Sequence, residues 1–220
     1  MSEIASRLVV GRDVPWVTSW SQEPLGAVGP CPTVDGQLAA LQAWKPGVGQ
    51  PLYSKNHLRR QRDSVRALLC PMCGETTAEG DRWSQTGRFV AAGALRGRGF
   101  AKALPADLED DRVLLDCGSI APLHLRCAEA SLKRCPHLGG MRDRELKVFP
   151  QAWVVVPLYV AAKRPVGAPL SAVSFLQLLG VTNSRDTDWR ARVATGYSGA
   201  HAPPHPPWPL RRPRRDSRPG

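Results

Sequence analysis

Cys70-Pro71-Met72-Cys73-Gly74, taken with His124-Leu125-Arg126-Cys127 further along the chain, decides how this sequence folds. Two thiolates separated by two residues close a tight turn around one ion, at about 2.3 Å per zinc–sulfur bond. Pro71 stiffens that turn and Gly74 lets the chain leave it. His124 and Cys127 stand at i and i+3, so in the first turn of a helix they project from one face and complete a tetrahedron. The expected cofactor is therefore a structural Zn2+ held by Cys70, Cys73, His124 and Cys127.

The ligand helix is supported by its neighbours. Pro122 precedes it, Leu125, Ala128 and Leu132 recur at helical spacing, and Cys135 stands before Pro136, which opposes continuation. A cysteine knuckle followed, after an insert, by a ligand-bearing helix is the arrangement of a treble-clef zinc finger. Cys117, Cys135 and His137 remain as substitutes or as a second ligand set. Three disulfides are the competing use of six cysteines. Met1 to Val10 has no basic region followed by an apolar run, however, and nothing later approaches a membrane span. A reducing, cytoplasmic setting follows, in which Cys-x-x-Cys reads as metal or redox chemistry. A thioredoxin-like use is disfavoured because Cys70 ends an apparent helix instead of opening one.

The formal charge of +11 in 220 residues invites an anionic partner, DNA or RNA, and the positive residues gather beside the knuckle and at the C-terminus. Asn56 to Leu69 reads as a helix capped by Asn56, with Leu58, Val65 and Leu69 as its inner stripe. Arg59, Arg62 and Arg66 form a ridge on it and Arg60 points elsewhere. A row of guanidinium groups can lie along a phosphate backbone. The same row is what a solvated helix face presents. Only six of the 30 basic residues are Lys, and the chain is rich in Arg, Ala, Gly and Pro, the mixture a GC-rich genome produces, which makes the charge weaker evidence for a nucleic-acid partner. The tail, His201 to Arg215, is too proline-rich for a helix or a central strand and is expected to be extended and disordered, offering Arg211, Arg212, Arg214 and Arg215.

An α+β architecture is expected, with a small treble-clef-like zinc core at 56–182. The expected flanks are an irregular Trp-, Pro- and Gly-rich region at 1–55 and a linker with a disordered basic tail at 183–220. In the first region Trp16, Trp20 and Trp44 serve as aromatic anchors, and Cys31 is a bystander between two prolines. The insert from Glu75 to Asp116 carries Arg96-Gly97-Arg98-Gly99 and an acidic run, Asp107 to Asp111, and should include an exposed loop. Val113 to Leu115 is a short strand leading to Cys117. Glu145 to Phe149 and Trp153 to Val156 read as strands, which Pro150 and Pro157 limit to short or edge positions. Ser171 to Leu179, closed by Gly180, reads as a short helix.

No reaction can be read from these residues. Four protein ligands close a metal site, whereas a catalytic one keeps a position for water. No His-Glu-x-x-His is present, and the order needed for a nucleobase deaminase is reversed. Between Cys73 and His124 there is neither His nor Asn to act as the base of a His-metal finger nuclease. His57 and His137 are spare, and no Gly-rich phosphate loop is found.

Asn56-His57-Leu58-Arg59-Arg60-Gln61-Arg62, then Leu69 to Gly74, then Pro122 to Leu138 together resemble small zinc-finger-type proteins encoded by actinobacteria and their phages. The resemblance covers about the middle third of the chain and implies ligation by Cys70, Cys73, His124 and Cys127 in a bacterial cytoplasm. That group offers no established activity to transfer. Two functions from different classes fit. One is a zinc-stabilised accessory protein binding nucleic acid through Arg59, Arg60, Arg62, Arg66 and the tail. The other is a zinc-stabilised adaptor whose Trp-rich loops and Pro-rich end engage a protein partner.

Overall fold

The computed structural model describes residues 5–135, 138, 140, 145–162 and 170–194. Its axis is one long strand. In chain order the strands are β1 (Thr18–Trp20), β2 (Leu25–Pro30), β3 (Leu38–Gln42), β4 (Pro51–Asn56), β5 (Trp83–Ser84), β6 (Arg88–Ala91), β7 (Arg112–Asp116), β8 (Lys147–Val148), β9 (Ala152–Ala162) and β10 (Leu170–Arg185). The helices are α1 (Leu58–Ala67), α2 (Ala92–Leu95), which runs on into a wider turn at Arg96–Phe100, α3 (Leu125–Arg134) and α4 (Trp189–Ala194). Mixed α+β character is thus observed, with more sheet than helix.

β10 is the spine of a 6-stranded sheet. β9 runs antiparallel along one edge, from Leu170 opposite Ala162 to Val181 opposite Ala152. The other edge is shared. β3 lies parallel to β10 at Val173, with β2 outside it, while β7 lies antiparallel from Leu179 to Arg185, with β6 outside it. Between those two stretches no strand among the described residues reaches β10 on that side, and side chains of α1 take its place. The Gln61 amide accepts from the Leu176 N–H at 3.0 Å and donates to the Leu176 carbonyl at 2.7 Å, as a neighbouring strand would. Arg62 donates to the Ser174 carbonyl at 2.8 Å and to the Ala40 carbonyl at 3.2 Å. Buried backbone groups need such partners, and α1 is seated by supplying them.

Three expectations are corrected here. Ser171 to Leu179 is not a helix but the middle of β10. Its apolar residues are buried on both faces, so the pattern is a continuous run in which helix and strand periods cannot be told apart. Gly180 is no helix cap either: a Cβ there would stand 2.6 Å from Pro150 Cδ, so the glycine serves close packing. Residues 1–55 are not an irregular periphery, since β3 joins the main sheet and Trp20 is completely buried. The segment from 183 begins as strand, through Arg185, and continues into α4. The tail beyond Ala194 lies outside the described residues.

Pro157 falls on the edge strand as its missing N–H requires. Leu176, opposite it, directs its own N–H and C=O toward Gln61, so the Pro157 nitrogen faces outward where no ladder bond is lost. β9 is nonetheless 11 residues long, longer than the flanking prolines suggested. The strand expected over Glu145 to Phe149 shrinks to β8, paired with β5. No helix among the described residues is long and apolar enough to cross a membrane.

Candidate metal centre

α1 ends where Leu68 turns into the left-handed region at φ 49°, its N–H bonded to the Ser64 carbonyl. That turn aims the chain at Cys70. The knuckle is then closed by backbone bonds: Cys70 N–H to the Glu75 carbonyl at 2.7 Å and Gly74 N–H to the Cys70 carbonyl at 2.8 Å. Gly74 has φ +83°, and a Cβ on it would stand 2.7 Å from Trp16 Cγ, so the residue is glycine for two reasons. Trp16 and Val17 in turn donate their N–H groups to the Met72 and Pro71 carbonyls, which fastens the N-terminal segment over the knuckle.

The second pair of candidate ligands starts α3. Trp83 and Leu123 exchange backbone hydrogen bonds, both 2.9 Å, which delivers His124 to the N-cap position. Asp81 accepts the Leu125 N–H at 2.6 Å and supplies the capping carboxylate that the sequence places far from the helix. Cys127, one turn in, faces the same way as His124.

Cys70, Cys73, His124 and Cys127 place their ligand atoms within 4.8 Å of one another, and this group could hold a metal ion. His124 Nδ1 lies 3.5 Å from Cys73 Sγ and 4.0 Å from Cys127 Sγ. Its Nε2 sits 3.2 Å from the Thr76 carbonyl, which fixes the proton on Nε2 and leaves the Nδ1 lone pair facing the thiols. Cys70 is fully buried, with Leu123 and Ala128 packed around it. Burial, with Cys70 and Cys73 as neighbours, pushes the Cys127 thiol up to about 12. Burial likewise raises Cys73. Cys73 and Cys127 are ill placed to ionise together unless a cation compensates them, which is the environment a divalent ion fits.

The alternative ligands separate from this group. Cys117 is a core residue whose Sγ lies 3.3 Å from Ser84 Oγ, and burial pushes its thiol up to about 12. Cys135 caps the far end of α3, away from His124. His137 lies outside the described residues, as do Arg211, Arg212, Arg214 and Arg215.

The arginines of α1 are a correction. Arg60 and Arg62 are completely buried and are not available to phosphate. Arg60 forms a forked pair with Glu23, at 2.8 and 2.7 Å, and donates to the Thr18 carbonyl. Arg62 holds the carbonyls of Ser174 and Ala40. Arg66 is paired with Asp35, and Arg59 stands 3.7 Å from Asp63 and against the Trp44 ring. Burial raises the Glu23 carboxyl, but the Arg60 pair and the Trp20 N–H outweigh it and hold it below its ordinary value.

His57, not Asn56, is the N-cap: Nδ1 accepts from the Arg60 N–H at 3.3 Å and Nε2 lies 2.9 Å from the Ala43 carbonyl. Burial lowers the His57 pKa, which favours the neutral ring. Cys31 is no bystander; it is buried, with Sγ 3.1 Å from Thr33 Oγ1 and 3.8 Å from Arg62 Nη2. Glu23, the counter-ion of α1, carried no motif, and its only signal was an acid among aromatic anchors. No family model matches the chain, and no curated protein or solved structure matches it significantly.

Proposed function

We propose that this chain is a zinc-stabilised basic accessory protein whose metal is structural and which binds nucleic acid. The observation that carries the metal half is the convergence of Cys70, Cys73, His124 and Cys127 within 4.8 Å. One imidazole and three sulfurs are a common structural zinc set, and four protein ligands leave no position for a reacting water. A knuckle clipped by the Leu69–Thr76 bridge and a helix that carries one ligand at its N-cap and one in its first turn support a treble-clef-like reading. Three thiols ligating one ion belong in a reducing compartment, and the cytoplasm is the proposed setting.

For nucleic acid the support is charge left over after internal pairing. With Arg60 and Arg62 withdrawn into the core, Lys55, Arg126, Lys133 and Arg134 are exposed, and Arg59 is exposed but shared with Asp63. Two measurements test the halves separately. Elemental analysis of the purified chain is expected to find one zinc per molecule; none in a folded protein removes the metal reading. An electrophoretic shift at about 50 and 200 mM salt should show binding that weakens steeply at the higher concentration. No shift at either concentration removes the nucleic-acid half and leaves the metal half standing.

A further inference from the structure

We infer that the binding surface is the patch formed by Trp44, Tyr53, Lys55 and Arg59, and that its ligand is single-stranded nucleic acid. The inference rests on the nucleic-acid reading above and gives it a site and a substrate class.

The patch begins as a feature of the sequence. From Gly36 to Arg62 the chain contains no Asp or Glu, while Lys45, Lys55, Arg59, Arg60 and Arg62 all fall within that run. Folding then sorts these cations. Arg60 and Arg62 go inward and Lys45 is half-buried, leaving Lys55 and Arg59 exposed. The nearby carboxylates are already committed, Glu23 to Arg60 beneath the surface and Asp63 to Arg59 at its edge.

One aromatic packs directly on a cation of this run, Trp44 on Arg59, and the other, Tyr53, precedes Lys55 by two residues. β4 pairs with β1 at Leu52 and Asn56, with Ser19 and Thr18 opposite, so Tyr53, Ser54 and Lys55 bulge outward between two paired positions. Tyr53 is 64% exposed as a result. Trp44 is 48% exposed, although its inner side is held firmly. The buried His57 ring meets it edge-on at 5.4 Å, and the buried Arg60 guanidinium lies 5.2 Å from its centroid. Arg59, from the solvent side of α1, also stands 5.2 Å from that centroid.

A single exposed aromatic is ordinary. An indole held by two buried partners, with the exposed Arg59 guanidinium laid against it, is a preorganised stacking surface in which the guanidinium plane takes part. Bases of a single strand stack on such rings and on guanidinium planes regardless of sequence, while flanking cations follow the phosphates. A duplex hides its base faces and cannot use the rings. The patch therefore selects single strands over duplex.

The test is fluorescence anisotropy of labelled oligo-dT, oligo-U and a DNA duplex with the full-length, metal-loaded protein at low salt. Wild-type protein is expected to prefer both single strands to the duplex, and comparing oligo-dT with oligo-U separates DNA from RNA as the source. Trp44→Leu should weaken single-strand binding about tenfold or more, the loss typical of one stacked base. Because Trp44 also touches His57 and Arg60, Tyr53→Ala and Lys55→Glu serve as partners to it. Both side chains are exposed, and each substitution should weaken binding with an unchanged melting temperature.

If wild-type protein binds and all three variants bind equally well, the patch is the wrong site while the nucleic-acid reading stands. If duplex binds as tightly as single strand, the stacking role is overturned. If wild-type protein binds nothing, both the patch and the reading beneath it fall.

Discussion

At the scale of single residues, the four candidate metal ligands were legible and the buried ions were not, for one reason. Metal ligation demands particular side chains at particular spacings, so Cys70, Cys73, His124 and Cys127 announce themselves. An arginine on a helix carries no such constraint, and Arg60 looks like any solvated cation until Glu23 arrives from a distant loop. Removing one partner of a completely buried pair strands the other charge, so Arg60→Ala should destabilise the protein by about 3–5 kcal/mol in chemical denaturation. A loss under 1 kcal/mol would show that water reaches Glu23. Beside this pair, His57 gives a pH signature. Burial lowers its folded pKa below the unfolded value, so the unfolded state binds the proton more readily. Its contribution is fully present above about pH 6.5, the unfolded value, and is lost as pH falls below it. His57→Gln is expected to flatten the decline of stability as pH falls below about 6.5, even while lowering the plateau. An unchanged slope, measured by denaturation at several pH values, counts against a neutral buried ring.

At the scale of elements, the reading succeeded where a local rule ends an element and failed where burial is two-sided. α1 and α3 were visible from their apolar stripes, and Pro157 correctly pointed to an edge. β10 was mistaken for a helix because Ala172, Val173, Leu176, Leu178 and Leu179 face apolar neighbours on both sides, leaving no alternation to read. Its partnership with Gln61 was beyond any pattern, since a glutamine on α1 stands in for a missing strand. That substitution makes a prediction. Gln61→Leu keeps the volume but leaves the Leu176 N–H and C=O without partners, at a cost of about 1–3 kcal/mol for each unsatisfied group. Hydrogen exchange should localise the damage, with amides of β10 around Leu176 exchanging faster than those paired to β9. Uniform acceleration across the sheet would instead mean that Gln61 only fills space.

At the scale of the whole molecule, the proposed ion is a junction between segments that the sequence sets far apart. The N-terminal chain is bonded to the knuckle through Trp16 and Val17, the knuckle follows directly from α1, and α3 is tied to β5 through Leu123. α1 in turn completes the edge of β10. Charge and composition gave no hint of this connectivity, because it lies in hydrogen bonds between loops. It implies that loss of the proposed ion spreads beyond its four ligands. Structural zinc contributes on the order of 10 kcal/mol or more of apparent binding free energy in small peptides, comparable to the whole stability of a domain. Chelation should therefore expose amides of residues 5–17 and of α3 first and lower the melting temperature of the entire chain, read by hydrogen exchange and calorimetry. Cys73→Ser should lose the ion and stability together. Cys135→Ser, at the far end of α3, should keep both. Cys31→Ala should keep the ion yet lose stability, because its sulfur is packed against Arg62 and Thr33, so loss of zinc in that variant would mean that the ion is held by the whole fold and not by its four ligands alone.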